Sequence, residues 1–416
     1  MGHTTGPLSL KKNFSWGFLG NIIYALTQSI LLIVIARLAS PESVGKYTLA
    51  LAVIAPIYMF VRMQLNYVYA SDLSSGLSFS DYFGFRIISS LLMIGVIFLI
   101  APAISFDKET AYLIVILSIS RYFESLSDIT YGEMQKQERI DKVGISKILR
   151  GLLTIIIFTI ILMLSNNLVL ATLGLAVCWF FTFIIYDLPN TRAYVSIKPI
   201  VKLNHIKTIV IMAIPLAIYQ LLLSLNTNMS RYYVGYFFTE TELGYFGAVS
   251  YIVIASVNPI SNALSQSMIS KMSKSYYNKK YKKFKSLLFK VLMFAVLTGL
   301  IGVLGVFIFG EFLLTILFGE DYASYSNILF IMMFSTIFLF SNSVLALALT
   351  SMREFKIQPI LGLIWLIKSV LLCSILIPIF GLEGAALSVV LSSFFQLIIR
   401  LVFLFYRINK DARKEC

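Results

Sequence analysis

The sequence predicts an all-α integral membrane protein of about twelve transmembrane helices, arranged as two six-helix lobes of which one repeats the other. Three observations carry this reading. Hydrophobic residues make up 58% of the 416 positions and charged residues 13%, about half the charged share of a typical soluble domain. The apolar residues fall in windows long enough to cross about 30 Å of hydrocarbon. The second half of the chain repeats side chains of the first at a constant offset. A net charge of +14 would also suit a nucleic-acid binder, but apolar windows end to end exclude that class, and no nucleic-acid partner is expected.

The windows follow in order. The first, 14–37, begins after Lys11 and Lys12, and no small-residue cleavage site follows its apolar core, so it reads as a retained helix. The second, 43–69, opens after Ser40-Pro41-Glu42-Ser43 and carries Pro56; the third is 83–104. The fourth, 110–134, is apolar up to Ile119 and then carries Arg121, Glu124 and Asp128. Windows at 143–165 and 167–187 complete a first lobe, 1–204. The second lobe, 205–416, holds windows at 207–236 (with Pro215), 242–270 (with Pro259), 287–310, 325–350, 355–379 and 382–406. Cys178 and Cys373 lie inside windows and Cys416 is the last residue, so no disulfide framework is implied.

Loop charges sort by side. Lys136, Arg139 and Lys142 follow the fourth window, and Arg192, Lys198, Lys202 and Lys207 follow the sixth. Lys271, Lys274, Lys279, Lys280, Lys282, Lys283 and Lys285 crowd the loop after the eighth, and Arg407, Lys410, Arg413 and Lys414 mark the tail. The intervening loops are short and acidic or neutral. The positive-inside rule then puts both termini in the cytoplasm. The lysine-rich loop is explained by topology alone, with contact to anionic lipid headgroups as an additional role.

Leu168, Ala171 and Leu173 recur as Leu382, Ala385 and Leu387, an offset of 214 that also carries Arg139 onto Arg353 and Lys142 onto Lys356. Ser40-Pro-Glu-Ser-Val-Gly45 resembles Thr239-Glu-Thr-Glu-Leu-Gly244, and Pro56 and Pro259 follow in the next window of each half. Six helices separate the copies, so the repeats are parallel and a cavity between lobes is the expected site.

An ionisable group near the middle of a span costs at least about 2.5–3.5 kcal/mol, so those present are expected to face the protein interior. They are Arg62, Arg121, Glu124, Asp128, Arg231 and Lys368. Arg150 and Arg400 lie close enough to the inner interface to snorkel, and Arg37, nearer the outer end of the first window, is a candidate for the cavity as well as for the interface. Polar side chains form helical stripes: Asn21, Tyr24 and Gln28; Gln220, Ser224, Thr227 or Asn228, and Arg231; Tyr251, Asn258, Asn262 and Gln266. Amides and phenols beside cations suit a ligand that is part sugar and part anion; helix–helix hydrogen bonding is the structural alternative. Arg121 and Glu124, three residues apart, are expected to pair locally. Glu124 and Asp128 suit ion coupling and structural bracing equally. No metal-ligand spacing involves His3 or His205, no P-loop occurs, and no enzymatic activity or cofactor is expected.

Glu124-Ser-Leu-Ser-Asp-Ile-Thr-Tyr-Gly-Glu-Met-Gln-Lys-Gln-Glu-Arg139, Ser146-Lys-Ile-Leu-Arg-Gly-Leu152 and the opening Asn13-Phe-Ser-Trp-Gly-Phe-Leu-Gly-Asn21 with Ala36-Arg-Leu-Ala-Ser-Pro-Glu-Ser-Val-Gly-Lys-Tyr47 resemble bacterial polysaccharide repeat-unit flippases. These form the Wzx-like branch of the MOP superfamily, which also holds the MATE transporters. The motif match lies in the first half; the two-lobe plan extends it over the chain. The resemblance implies a protein of the bacterial cytoplasmic membrane that moves an undecaprenyl-diphosphate-linked oligosaccharide between leaflets by alternating access. Cavity cations would hold the diphosphate and the polar stripes the sugars, with membrane lipids and polysaccharide polymerase or assembly proteins as partners. Coupling to a Na+ or H+ gradient stays open. Pro56, Pro215 and Pro259 are candidate hinges. The family pattern often has Arg near Leu65-Asn66-Tyr67, where this chain has Asn66, with Arg62 a turn earlier; either Arg62 stands in or the diphosphate site differs.

Two other readings compete. A MATE-like exporter of organic cations driven by Na+ or H+ would present acids to its cargo, whereas most ionisable groups in these windows are cationic. A non-transporting scaffold would need docking surface, and the loops are short apart from the lysine-rich one.

Overall fold

The computed structural model describes residues 8–72, 76–100, 107–354 and 356–413. Its regular structure is helical, with no strand among the described residues. The elements are α1 (Leu10–Leu38), α2 (Pro41–Arg62), α3 (Leu65–Ser71), α4 (Phe79–Ile100), α5 (Lys108–Lys136), α6 (Ile140–Ser165), α7 (Leu168–Thr182) and α8 (Leu188–Arg192), the last two joined by a π-helical turn, Phe183–Asp187. There follow α9 (Leu203–Phe237), α10 (Glu240–Tyr277), α11 (Tyr281–Phe318), a 3-10 turn at Glu320–Tyr325, α12 (Ser326–Ser351) and α13 (Ile357–Arg413).

Ten stretches of the described residues are long and apolar enough to cross a membrane, with α2–α3 and α7–α8 each forming one. The α13 stretch counts once there but supplies two spans. Gly381 (φ 61°, ψ −137°) breaks it, and the limbs fold together so that Gln396 Nε2 donates to the Leu361 carbonyl at 3.1 Å. A side chain at 381 would strain that left-handed backbone. The α5 stretch fails the apolar criterion because of its charges. Its 29 residues nevertheless make a rod of about 43 Å, and it supplies the twelfth span. The charged run after Ile119 is therefore helical, as expected.

Local chemistry explains where the helices begin. Ser40 caps α2 by accepting from the Ser43 amide, with Pro41 at the first turn, and Thr239 and Glu242 form a capping box on α10. The two matched sequence stretches thus do the same work, ending one long helix and opening the next. The repeat also appears in the backbone. Glu138 and Arg353, and then Asn166 and Gly381, take left-handed conformations at a common separation of 215 (353 − 138; 381 − 166). That is one more than the offset read from the side chains. The repeat stands, but its register in this hairpin is shifted by one residue.

The chain divides into two compact units, residues 1–224 and 225–416. The border falls inside α9, whose first half packs with the first unit: Ile209, Ala213 and Ala217 share a core with Leu65, Tyr82 and Ile129. A division at 204/205 follows helix number instead. In the second unit, Phe284, Leu288, Val291 and Ala295 of α11 pack on Phe340, Val344 and Leu345 of α12 and Leu404 of α13. The buried stripe of α11 continues through Gly299, Val303, Val306, Gly310 and Leu314, while Ile301, Phe307, Ile308 and Phe312 stay exposed. One face packed and an apolar opposite face is what a helix bordering lipid requires.

In the first unit α1 and α6 approach closely through glycines. A Cβ on Gly144 would lie 2.6 Å from the Trp16 carbonyl oxygen, and one on Gly20 would lie 2.5 Å from the Gly144 Cα. This contact sets the spacing at which Asn21 meets Lys147. Gly144→Val is expected to destabilise by about 1–3 kcal/mol through overpacking, whereas Gly305→Val, with nothing within 4 Å of the added carbon, should be neutral. Thermal unfolding of the purified variants separates the two.

Candidate functional site: buried cations in each unit

The first unit's site begins with a break. After Arg62 the chain takes left-handed conformations at Met63 (φ 51°) and Gln64 (φ 48°) before resuming as α3. A helix end in a membrane leaves carbonyls that must find donors inside the protein. Arg86 of α4, fully buried, supplies them: its guanidinium donates to the carbonyls of Val61 at 3.0 Å and Arg62 at 2.8 Å. Asp128 of α5 balances both arginines, 2.7 Å from Arg62 Nη2 and 3.7 Å from Arg86 Nη2.

Two turns earlier on α5, Arg121 pairs with Glu124 as expected, and the other Glu124 oxygen accepts from Tyr24 OH at 3.2 Å. The Arg121 guanidinium lies 5.5 Å from the ring centroid of Tyr58 and 5.3 Å from that of Trp179. Arg150 lies 5.2 Å from the same indole, whose Nε1 donates to Thr154 at 3.0 Å. Cation–π contact is strongest where water is excluded, and one tryptophan here serves two arginines. Arg150 also donates to Ser127 and to Asp187 at 3.2 Å. Asp187 closes the π-helical turn, a local widening that recurs at functional positions in helices. Lys147 donates to Asn21 at 2.7 Å.

Four arginines (Arg62, Arg86, Arg121, Arg150) thus share three carboxylates (Glu124, Asp128, Asp187) in one unit, with Lys147 held on Asn21. The side chains of Arg86, Asp128, Arg150 and Asp187 are 5% exposed or less, whereas Arg62 and Arg121 keep 31% and 22%. The first four are enclosed by the unit, and Arg62 and Arg121 are the partly exposed members of the cluster.

The second unit is poorer in acid. Arg231 is buried and donates from Nη1 to Asn228 at 3.1 Å, while its Nε and Nη2 find no partner. Lys368 Nζ is buried and also without a partner. Arg400 donates to the Asn342 carbonyl at 2.9 Å and lies 6.0 Å from the Trp365 ring centroid.

The remaining expected residues scatter. Gln28 is half-buried one turn beyond Tyr24, with its Nε2 unpartnered. Gln220 is half-buried on α9, Asn258 is exposed on α10, and Arg37 is exposed in the last turn of α1. The side chains of Asn262 and Gln266 lie outside the described residues. Pro56 is buried within α2, Pro215 is exposed on α9 and Pro259 is half-buried on α10. Snorkelling was expected for Arg150 and Arg400, and the structure corrects both: they are 2% and 4% exposed. Each has polar partners and an indole deep inside its unit, so neither needs to reach for headgroups.

Sequence reasoning missed Arg86, Lys147 and Asp187, and the roles of Tyr58 and Trp179. Arg86 and Asp187 stand inside apolar windows, where the cost of charge would have marked them. Lys147 and Arg150 both lie in the motif Ser146–Leu152. The motif at 13–21 has a physical role as well: the Asn13 side chain donates to the Glu138 carbonyl at 2.8 Å and accepts from the Ile140 amide at 3.0 Å. It thereby joins α1 to the α5–α6 turn.

Both the sequence and the fold have counterparts among known proteins. The family described as "Polysaccharide biosynthesis protein" matches residues 34–327. The chain is 32% identical over 395 residues to the capsular polysaccharide biosynthesis protein CapF of Staphylococcus aureus, covering 93% of this chain and 97% of that protein. Among solved structures it resembles an inward-facing MATE family multidrug resistance transporter of the MOP superfamily (TM-score 0.74, 14% identity, 93% of this chain and 95% of that one). It also resembles a MOP superfamily transporter from Pyrococcus furiosus whose binding pocket is described as having reverse polarity suggesting a different function (TM-score 0.66, 13% identity, 95% and 94%). These structural likenesses establish the fold.

Asp128 is the counter-charge of two arginines. Asp128→Asn is expected to destabilise the protein by about 3 kcal/mol, as removing one partner of a buried pair does. Adding Arg86→Met should not restore stability, because the carbonyls of Val61 and Arg62 would then lose their donor. Thermal unfolding of single and double variants tests both statements.

Proposed function

This chain belongs to the polysaccharide biosynthesis protein family, and from that premise we propose that it is a flippase. Its cargo is an undecaprenyl-diphosphate-linked oligosaccharide repeat unit, moved from the inner to the outer leaflet of the bacterial cytoplasmic membrane by alternating access. The observation that carries the reading is the sign of the interior. In the first unit's cluster four arginines share three carboxylates and Lys147 rests on Asn21, and in the second unit Arg231 and Lys368 have no ion pair among the described residues. A diphosphate can neutralise such groups through charge-assisted hydrogen bonds; an organic cation would be repelled by them. The Glu124 and Asp128 carboxylates that could attract a drug cation are already engaged by Arg121, Arg62 and Arg86.

Both termini lie in the cytoplasm on this reading, and the lysines from Lys271 to Lys285 meet anionic headgroups or the assembly proteins that supply the cargo. Glu124 and Asp128 either couple the cycle to a Na+ or H+ gradient or brace the arginines that they hold. Pro56, Pro215 and Pro259 serve as bending points, each removing one backbone hydrogen bond from a long helix.

Depletion of the protein in its host is the direct test. Single lipid-linked repeat units should accumulate in the cytoplasmic leaflet and clear on re-expression of the wild type. Normal lipid-linked pools with altered resistance to cationic dyes would establish the exporter instead. Pro259→Ala should slow translocation several-fold; an unchanged rate in the same leaflet assay removes it as a pivot.

A further inference from the structure

The two units neutralise their interior charges by different means. In the first, Arg62, Arg86, Arg121 and Arg150 each face a carboxylate. In the second, the limbs of α13 and the middle of α12 bring together polar groups whose bonding capacity is left open. Trp365 and Lys368 stand one turn apart on the first limb, and the indole Nε1 and the ammonium Nζ are both buried without a partner in the protein. Arg400, on the second limb, covers the face of Trp365 and is the charged neighbour of Lys368.

Acceptors are left open beside these donors. Asn342 uses its Nδ2 on the Ser393 carbonyl at 2.9 Å, and Gln396 uses its Nε2 on the Leu361 carbonyl at 3.1 Å. The side-chain oxygens of both amides are buried and receive no hydrogen bond. Buried polar groups in native proteins almost always find a partner, and exceptions point to a ligand, an ion or water. Water would satisfy the hydrogen bonds but not the charge of an ammonium held near a guanidinium within an apolar span. An anion alone would satisfy the charge but not the two amide oxygens, which need donors. A group that carries negative charge and hydroxyls together satisfies all of them.

We propose that Trp365, Lys368 and Arg400, with Asn342 and Gln396, form a binding site for a sugar phosphate. Lys368 and the Trp365 indole donate to phosphate oxygens, and the two amide oxygens accept from hydroxyls of the adjoining sugar. The assignment rests on the flippase reading for its cargo, in which it places the sugar–phosphate junction of the lipid-linked repeat unit within the second unit of the chain. Arg62 and Arg121 are not required for this contact.

The test uses the full-length protein in nanodiscs and four probes: undecaprenyl diphosphate carrying one sugar, undecaprenyl diphosphate, undecaprenol and inorganic phosphate. The expected order of affinity runs from the sugar-bearing lipid through the bare diphosphate to undecaprenol. Lys368→Met keeps the length of the side chain and removes the charge; it should weaken both diphosphate lipids about tenfold or more. Gln396→Leu should weaken the sugar-bearing lipid alone. Trp365→Phe keeps the ring, loses the donor and gives a second reading if Lys368→Met fails to fold. Unchanged affinity for both diphosphate lipids in the folded Lys368 and Trp365 variants overturns the site while leaving the flippase reading intact. A wild type that binds undecaprenol as tightly as the diphosphate lipids overturns the flippase reading itself. Inorganic phosphate that competes fully with the sugar-bearing lipid would show a free-phosphate site and overturn the sugar component.

Discussion

The first unit depends on Arg86 holding the two carbonyls released where α2 breaks. Hydrocarbon supplies no donors, so an interrupted helix survives only if a side chain replaces the missing hydrogen bonds. Arg86 does this with a guanidinium, whose several N–H groups can reach two carbonyls at once. The choice brings a full charge into the membrane and so requires Asp128. Asp128 in turn holds Arg62 at the end of the broken segment. The break, the buried arginine, the carboxylate and the half-exposed arginine are thus linked consequences of one unmet backbone requirement.

The twelve-span plan was legible because length and hydropathy are local properties. The charged stretch of α5 was legible for a related reason: Arg121 and Glu124 are three residues apart, and helical geometry alone brings them together. Asp128 was visible as a charge, but its partners Arg62 and Arg86 come from α2 and α4, and nothing local announces that meeting. Arg150 shows the opposite failure. Nearness to a window end suggested an escape to the interface, whereas Trp179, Ser127 and Asp187 hold it inward. The π-helical turn that presents Asp187 follows from packing, which no periodicity in the sequence records. The one-residue difference in repeat register has a similar origin, since backbone turns keep their places while side chains drift.

Duplicated scaffolds often diverge first in what they enclose. Here both repeats keep the left-handed turns at Glu138 and Arg353 and the helix caps at Ser40 and Thr239, which build the frame. Their interiors have parted: carboxylates accompany the arginines of the first unit, and amides, a tryptophan and a lysine occupy the second. An arginine lies over an indole in both, with the order along the chain reversed: Arg150 precedes Trp179, whereas Trp365 precedes Arg400.

One helix belongs to both units. From Leu203 to Phe237, α9 leaves the core it shares with Leu65 and Tyr82 and continues into the unit that holds Arg231, with no loop between. Pro215, which lacks a backbone donor, stands exposed within that helix and leaves the Ile211 carbonyl without its usual helical partner, so the shared helix bends more easily there than along the rest of its length.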